Sequence, residues 1–272
     1  IRPRDWSSDV CSSDLSEALD QSTAPSGIRW RELAETDSTN AEAMRVALQG
    51  ERGPLYIRAD RQSAGKGRSG RAWETCTGNL ALSRLGPLSC PPAAVPQLAL
   101  VAGLAVHRAL AELFDAGAGA DALRLKWPND LLLDHAKVAG ILVESSAFAG
   151  ERVAVVGVGV NIAEAPDVPG RSTTALAGRV AQTPSPRQLA ARVARHLEGT
   201  LAQWDHGRGF DLIRAGWLAA ALPLGTALSI NTGQGVVSGR FAGLDEGGAL
   251  RLDVPGQGLK TFSFGAVALI GG

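Results

Sequence analysis

One short segment concentrates residues that could bind an anion: ADRQSAGKGRSGRAWET at positions 59–75. It carries four cations and three glycines, namely Arg61, Lys66, Arg68, Arg71, Gly65, Gly67 and Gly70. Cations attract an anionic ligand, and glycines let the backbone approach it closely. The segment therefore predicts an anion-binding loop. A solvated basic loop is the alternative, but it leaves the glycines without a reason.

The run GKGRSG (65–70) matches the dinucleotide-binding pattern G-x-G-x-x-G, but its context does not. That pattern needs a helix to start at the glycines and an acidic residue about 20 positions later. RAWETCTG follows instead, and the region around Cys90 is not acidic. A phosphate-binding P-loop is excluded too, because Arg71 and Ala72 stand where Lys and Ser or Thr are required.

A second polar group, KWPND, follows a predicted strand and contains Lys126, Asn129 and Asp130. An Asn-Asp turn beside a lysine can hold phosphate or a cation. An ordinary polar turn is the alternative. Trp127 alone is better explained as a core residue.

Lys137 begins the next predicted strand. A period of two places it on one face with three apolar residues, Ala139, Ile141 and Val143. A lysine on an apolar face needs a partner anion. Lys137 is therefore either a ligand-binding cation or an edge lysine at the first residue of the strand.

The strand VVGVGVN (155–161) has two different faces. Gly157, Gly159 and Asn161 share one face, while the valines between them face the core. Glycines weaken a strand, so they mark close approach by a ligand or another backbone. Close packing by a helix is the alternative, but it leaves Asn161 unexplained. Gly65 and Gly140 (in KVAG) are expected to serve a similar purpose.

No nucleophile or metal pattern accompanies these groups. The four histidines are scattered, at His107, His135, His196 and His206, and neither H-E-x-x-H nor G-x-S-x-G occurs. The chemistry indicated is the clamping and orientation of anions by cations and backbone amides.

Periodicity predicts the elements that position these residues. Strands are expected at 28–35, 54–60, 79–85, 122–146 (in three pieces) and 151–163. Helices are expected from the DSTN segment (37–40) to Gln49, over 96–114 and from the N-cap Ser185. From residue 224 on, short strands between glycine-rich turns are typical of a small β-barrel. The sequence thus predicts an N-terminal tail (1–27), a mixed α+β domain (28–222) and a small barrel (223–272).

Composition narrows the class of protein. Lys plus Arg and Asp plus Glu are 27 each, and this zero net charge argues against a nucleic-acid binder. Three cysteines (Cys11, Cys76 and Cys90) make no disulfide framework and favour a cytoplasmic protein. Because His107 and Arg108 interrupt the apolar run at 98–114, a core helix is predicted there instead of a membrane span.

Four of these segments, DSTNAEAM, RQSAGKGRSGRAW, LKWPNDLLLDHAKVAGILVES and VVGVGVNIA, resemble bacterial biotin–protein ligases in order and spacing. The resemblance covers about residues 28–272. It implies a mixed sheet like that of class II aminoacyl-tRNA synthetases, followed by an SH3-like barrel. The short lead-in before DSTN favours the single-function type, which lacks a DNA-binding domain.

The resemblance also implies a reaction and its participants. Biotin and MgATP give biotinyl-5′-adenylate and pyrophosphate, and the adenylate then acylates one lysine of a biotin carboxyl carrier domain. ATP with Mg²⁺ is a co-substrate, no permanently bound cofactor is expected, and Mg²⁺ is held mostly by the phosphates. The protein is expected to be a monomer or homodimer without nucleic-acid or membrane partners.

Roles carry over by position in this sequence. Ser38, Thr39, Asn40 and Gln62 resemble the biotin-binding groups, and Lys66, Gly67 and Arg68 resemble the loop that orders over biotin and the adenylate. Trp73 resembles the aromatic near the adenine, and Lys137 the lysine that bridges carboxylate and phosphate. Lys137 and Arg68 are the expected catalytic residues. The resemblance assigns Lys126, Asn129, Asp130 and Asn161 to ATP, Mg²⁺ or the incoming lysine.

Three other functions are considered. A lipoate–protein ligase shares the fold and the adenylate, but would be expected to carry Arg-Arg and Gly-Gly-Gly motifs, which are absent. A biotin-dependent repressor needs a helix-turn-helix, and none is visible. In a non-catalytic binding protein, Lys137 and Arg68 would be dispensable.

Residues 1–15 are excluded from this interpretation. The chain begins at Ile1, its only methionine is Met44, and RDWSSDVCSSDL (4–15) resembles translated sequencing-adapter sequence. We predict that deleting residues 1–15 leaves the melting temperature unchanged, because the segment has no period that could bury one face. A docked Trp6 and a neighbour would contribute about 2–4 kcal/mol. A drop of several degrees in a thermal melt would therefore show that the segment belongs to the fold.

Overall fold

The computed structural model describes residues 28–114, 120–148 and 150–270, so the predicted tail (1–27) lies outside the described residues. A first sheet contains β1 (Arg29–Thr36), β2 (Leu55–Gln62), β3 (Leu80–Pro87), β4 (Leu123–Lys126), β5 (Asp130–Leu133), β6 (Ala136–Phe148) and β7 (Glu151–Val160). The helices of the described part are α1 (Thr39–Leu48), α2 (Gln97–Ala111), α3 (Pro186–Trp204) and α4 (Phe210–Ala220). A C-terminal sheet follows, with β8 (Ala227–Asn231), β9 (Val236–Leu244), β10 (Leu250–Val254), β11 (Gly258–Phe262) and β12 (Ala266–Leu269).

The first sheet is mixed, as predicted. Its strand order is β1-β2-β3-β7-β6-β5-β4, with β1 and β2 parallel and all other neighbours antiparallel. The C-terminal sheet is antiparallel throughout, in the order β11-β10-β9-β8-β12. This arrangement confirms the α+β class. The limits of the two predicted domains stay a prediction.

Two helix starts that matter to the architecture follow local rules. α1 begins after the N-cap Ser38, whose side chain accepts a hydrogen bond from the Ala41 amide. α3 begins at the predicted N-cap Ser185 with a capping box, in which Ser185 accepts from the Gln188 amide and the Gln188 side chain accepts from the Ser185 amide. The DSTN segment is therefore the start of α1, at the end of β1.

α2 is the central core helix. It packs against α3, α4 and the first sheet, and Val101, Ala102, Ala105 and Val106 are fully buried. Its burial confirms the predicted core helix, although Pro92–Ala111, which extends beyond the apolar run at 98–114, is long and apolar enough to cross a membrane by length and composition alone. Two thirds of that window (67%) is buried inside the protein, as in the core helix of a folded domain.

The KWPND segment joins the two sheets. Trp127 is 5% exposed, which confirms its predicted core position, and its indole N–H donates to the Gly248 carbonyl at 3.0 Å. The Leu222 amide donates to the Leu125 carbonyl at 3.1 Å. The first contact ties the turn between β9 and β10 to the KWPND segment, and the second ties the segment between α4 and β8 to β4.

Candidate functional site

A cavity of about 1090 Å³ opens between the first sheet, the basic loop and the C-terminal sheet. It brings together nearly every residue predicted for a site: Ser38, Thr39, Asn40, Gln62, Lys66, Gly67, Arg68, Trp73, Lys126, Asn129, Asp130, Lys137, Gly140, Gly157, Gly159 and Asn161. Gly65 does not line it. Segment 166–173 and residues of β8 and β12 also line the cavity, and sequence reasoning missed them because only the tertiary fold places them there.

An ion cluster lies in this cavity. The Asp130 carboxylate contacts Lys137 Nζ at 2.5 Å and Lys126 Nζ at 2.9 Å, and it is only 16% exposed. Lys126 Nζ also donates to the Val267 carbonyl of β12 at 3.0 Å, so it links the C-terminal sheet to the cluster. The partner anion that the sequence required for Lys137 is therefore Asp130, within the protein itself.

Two opposing effects act on the pKa of Asp130. Burial raises the pKa, but the charges and hydrogen bonds of Lys137 and Lys126 lower it more, and the net shift is downward. Asp130 is therefore ionised at neutral pH. An anionic ligand in the cavity competes with this carboxylate for the two ammonium groups.

Lys137 reaches the cavity because β6 is irregular. The register between β5 and β6 shifts where Leu131 pairs with Ala139 and Leu132 pairs with Lys137. The predicted face shared by Lys137, Ala139, Ile141 and Val143 is therefore wrong. Lys137 lies beside Gly140 instead, since a Cβ at Gly140 would be 3.1 Å from Lys137 Nζ. A β-bulge re-aims a side chain in this way.

The Lys137 ammonium also lies over the Trp73 indole, 5.4 Å from the ring centroid, in a cation–π contact. Its backbone is held by segment 172–174, where Lys137 N–H donates to the Ser172 carbonyl at 2.8 Å and the Thr174 N–H donates to the Lys137 carbonyl at 3.0 Å. The Asn161 amide group donates to the Thr174 carbonyl at 3.1 Å, while its Oδ1 is buried without a partner.

The basic loop folds back on itself. Gly67 N–H donates to the Arg71 carbonyl at 2.7 Å, and Trp73 N–H donates to the Gly65 carbonyl at 2.9 Å. A Cβ at Gly65 would lie 2.2 Å from the Trp73 carbonyl oxygen. The close approach predicted at Gly65 is therefore made by the loop's own backbone, and no ligand is needed to explain it.

Arg68 is the cation that the loop directs to the KWPND segment. Its guanidinium donates to Asn129 Oδ1 at 3.2 Å. Burial lowers its pKa, Asp130 acts in the opposite direction and Arg71 lowers it further. An arginine retains its charge under such a shift. Arg68, Lys126 and Lys137 thus surround Asp130 and Asn129.

The glycine floor of β7 is covered by side chains. A Cβ at Gly159 would lie 2.3 Å from the Trp73 ring, and a Cβ at Gly157 would lie 2.3 Å from Asn40 Oδ1. For Gly157, the alternative of close packing by a helix is correct, since Asn40 belongs to α1. Because Gly159 has no side chain, the Trp73 indole can lie against β7 beside Lys137.

The far end of the cavity is polar and neutral. Thr39 N–H donates to Gln62 Oε1 at 2.8 Å, and Gln62 Nε2 donates to Thr75 Oγ1 at 3.0 Å. Ser83 of β3 is fully buried and contacts Thr39 and Asn40. Sequence reasoning missed Ser83, although a hydroxyl inside the apolar strand NLALSRL was a signal that it had polar neighbours.

Among the described residues, no group of three or more His, Cys, Asp or Glu side chains could hold a metal ion. Cys76 is near the cavity, but burial and Glu164 raise the pKa of its thiol. Its thiol is therefore held in the protonated form, which is a poor nucleophile.

Comparison with known proteins agrees with this geometry. The model of the biotin/lipoate A/B protein ligase family matches residues 33–161. A biotin–[acetyl-CoA-carboxylase] ligase of Paracoccus denitrificans is 41% identical over 233 residues, covering 82% of this chain and 93% of the relative. A biotin–[acetyl-CoA-carboxylase] ligase of Mycobacterium tuberculosis is 34% identical over 239 residues, which cover 85% of this chain and 86% of that relative. The solved biotin protein ligase of Aquifex aeolicus in complex with biotin and ATP is 26% identical, with a TM-score of 0.73 over 89% of this chain and 99% of that one.

The fold described above, a mixed sheet joined to a C-terminal antiparallel sheet, is thus shared over most of this chain with a solved biotin protein ligase. The chain belongs to the biotin/lipoate A/B protein ligase family, among its bacterial biotin–protein ligases.

We predict that Asp130→Asn lowers the free energy of unfolding by about 3 kcal/mol at pH 7, because it leaves two lysines without a counter-charge. The folded-state pKa of Asp130 is depressed, so its contribution is complete above its ordinary pKa of about 4 and is lost as pH falls through the lower, folded-state value. The gap between wild type and variant should therefore close in acid. Urea denaturation across a pH series measures it.

Asp167→Asn is the control, because Asp167 is exposed. It should change the unfolding free energy by less than about 0.5 kcal/mol. A gap for Asp130→Asn that stays constant from pH 7 into acid would show that the ion cluster does not stabilise the fold.

Proposed function

We propose that this protein is an ATP-dependent biotin–protein ligase that forms biotinyl-5′-AMP and transfers biotin to a lysine of a carboxyl carrier domain. One observation carries the proposal: Lys137 and Arg68 lie in one cavity between a neutral polar end and a basic loop. The relatives named as biotin–[acetyl-CoA-carboxylase] ligases and the solved relative that holds biotin and ATP support it.

The neutral end fits the ureido ring of biotin. Ser38, Thr39, Asn40 and Gln62 offer hydroxyl and amide groups and no net charge. Hydroxyl and amide groups can accept from the N–H groups of that ring and donate to its carbonyl oxygen. The ring then points its carboxylate chain toward Lys137.

The charged centre fits two anions. Lys137 lies where it can contact both the biotin carboxylate and the α-phosphate of ATP, and Arg68 can draw the loop onto the phosphate. A carboxylate oxygen attacks the α-phosphorus, the bond to the β-phosphate oxygen breaks, and pyrophosphate leaves with Mg²⁺. Fixed cations stabilise the charge that develops on the phosphoryl oxygens. Lys66 and Gly67 belong to the same loop.

The adenosine part fits the Trp73 side of the cavity. The Trp73 indole provides an aromatic face for the base. Asn161 Oδ1 is a buried acceptor without a partner, so it suits a ligand N–H, Mg²⁺ or the incoming lysine, and does not suit a phosphate oxygen. Asn129 and Asp130 hold the cations in place, and Lys126 is a further cation at the phosphate end.

The product is a reactive mixed anhydride, and the basic loop can shield it from water. In the second step the lysine amine of the carrier attacks the acyl carbon, AMP leaves and the amine gives up a proton. Exposed Val236 and the residues of β12 line the cavity mouth where a carrier must approach. A cytoplasmic location and a monomeric or homodimeric state belong to the same proposal.

Weighing a carrier domain tests this function. With biotin and MgATP the intact mass should rise by one biotinyl group on one lysine. Lipoate in place of biotin should add no mass. Lipoyl transfer would identify the alternative ligase, and an unchanged carrier with both ligands would contradict the proposal.

We predict that Lys137→Ala lowers biotin-dependent pyrophosphate release by at least about a hundredfold, because one removed charge-stabilising group typically costs that much. Exposed Lys260 of β11 gives the matched control, and Lys260→Ala should release pyrophosphate at the wild-type rate. Near wild-type release by the Lys137 variant would refute its role.

We predict that Arg68→Ala weakens retention of the adenylate more than its synthesis, since Arg68 lies on a loop that closes on the ligand. The escaping adenylate should then acylate lysines of a bystander protein. Arg61→Ala is the control, because Arg61 is exposed on β2 and pairs with Glu35 at 3.7 Å. Labelling confined to the carrier, at wild-type adenylate retention, would contradict this assignment.

A further inference from the structure

A chain of hydrogen bonds runs behind the neutral end of the cavity. It links Glu144 of β6, Asn40 of α1, Ser83 of β3 and Thr39 of α1, and it ends beside Gln62 of β2. The contacts are Asn40 Nδ2 to Glu144 Oε2 at 2.7 Å, Ser83 Oγ to Asn40 Oδ1 at 2.6 Å, Ser83 Oγ to Thr39 Oγ1 at 2.7 Å and Thr39 Oγ1 to Gln62 Oε1 at 3.2 Å. Glu144 and Ser83 do not line the cavity, so they can act on a ligand only through this chain.

The orientation of Asn40 starts the chain. Its Nδ2 is close to the Glu144 carboxylate and, at 3.4 Å, to the Leu142 carbonyl. Both are acceptors that cannot donate when Glu144 is ionised. The amide nitrogen must therefore point toward them, and Asn40 Oδ1 must point toward Ser83.

Proton counting then determines the rest. A serine hydroxyl has one proton, and Asn40 Oδ1 can only accept, so Ser83 donates its proton to Asn40. The contact of 2.7 Å between Ser83 and Thr39 needs a proton of its own, and only the Thr39 hydroxyl can supply it. Gln62 Oε1, at 3.2 Å, is farther away and already accepts from the Thr39 amide. Thr39 Oγ1 thus has its proton directed inward and its lone pairs unused.

We propose that Ser83 and Glu144 are positioning residues, which act through Asn40 to make Thr39 Oγ1 an obligatory hydrogen-bond acceptor in the cavity. A ligand at this end must then present an N–H group. The inference rests on the proposed function and deepens it. The ureido ring of biotin carries two N–H groups, whereas the dithiolane ring of lipoate carries none.

The chain is buried where it must be. Thr39 is 4% exposed, Asn40 3% and Ser83 fully buried, while Glu144 is half-buried at the outer end. Water therefore cannot substitute for a missing member at Ser83. A hydroxyl proton that loses its inward acceptor turns toward another one, and Thr39 can then meet a ligand as a donor.

Calorimetry with the full-length protein tests the proposal. Ser83→Ala should weaken biotin binding about tenfold and leave ATP binding within twofold, because one oriented hydrogen bond is lost. It should also narrow the preference for biotin over a biotin methylated at the ureido nitrogens. Glu144→Gln, at the half-buried end, should weaken biotin binding about threefold. The neutral amide can donate as well as accept, so Asn40 can turn over and the direction of the hydrogen bonds toward Thr39 can reverse. Ser145→Ala, on an exposed neighbour in β6, should bind both ligands as wild type does.

Unchanged biotin affinity in both the Ser83 and Glu144 variants would overturn the proposal. Equal losses for biotin, its methylated analogue and ATP would overturn it as well, because they indicate a general structural defect. A wild-type protein that binds no biotin would refute the proposed function and this inference with it. Wild-type binding with insensitive variants would refute the inference alone.

Discussion

The contact between Lys137 and Asp130 is the interaction on which the site depends. Three cations, Lys126, Lys137 and Arg68, converge on a partly buried region, and such a cluster is unstable without a counter-charge. Asp130 supplies that charge within the protein, and Asn129 accepts from Arg68. The cations are thereby held together in the cavity, where we propose that the two anionic substrates meet.

Several elements exist in their observed form because of this cluster. The bulge in β6 turns Lys137 toward the cavity, and Gly140 and Gly159 leave room for Lys137 and Trp73. The C-terminal sheet adds a carbonyl to Lys126 and another to Trp127. An alanine at either glycine would place a methyl group against the Trp73 ring and push the indole away from the Lys137 ammonium. The C-terminal sheet is thus part of the geometry of the site as well as a neighbour of it.

Local rules predicted the parts of this architecture that depend on neighbours in sequence. The N-cap Ser185, the core position of Trp127 and the short strands after residue 224 follow from spacing and turn chemistry, while the mixed sheet was implied by the family resemblance. Most of the site residues predicted from sequence came from charged and glycine-rich segments, whose composition has few structural explanations.

Contacts between distant segments could not be predicted in the same way. The strand face predicted for Lys137 was wrong because a bulge shifts the alternation of β6 by one residue. The period of the strand alone does not reveal such a bulge. We predicted that Gly157 and Gly65 mark close approach by a ligand or another backbone. In the structure, the Asn40 side chain packs against Gly157 and the loop's own backbone packs against Gly65. Ser83 acquires its role from α1 and β6, which are distant in sequence from β3.

The central claim is that the cations bring the biotin carboxylate to the α-phosphate of ATP, so that a carboxylate oxygen attacks the α-phosphorus. Biotin labelled with ¹⁸O in its carboxylate tests this claim in one turnover with a carrier domain, followed by mass analysis of the nucleotide. The account predicts that AMP gains one ¹⁸O atom, because the carboxylate oxygen that attacked phosphorus leaves with AMP when the lysine amine attacks the acyl carbon. Unlabelled AMP, or release of ADP with labelled phosphate, would contradict it.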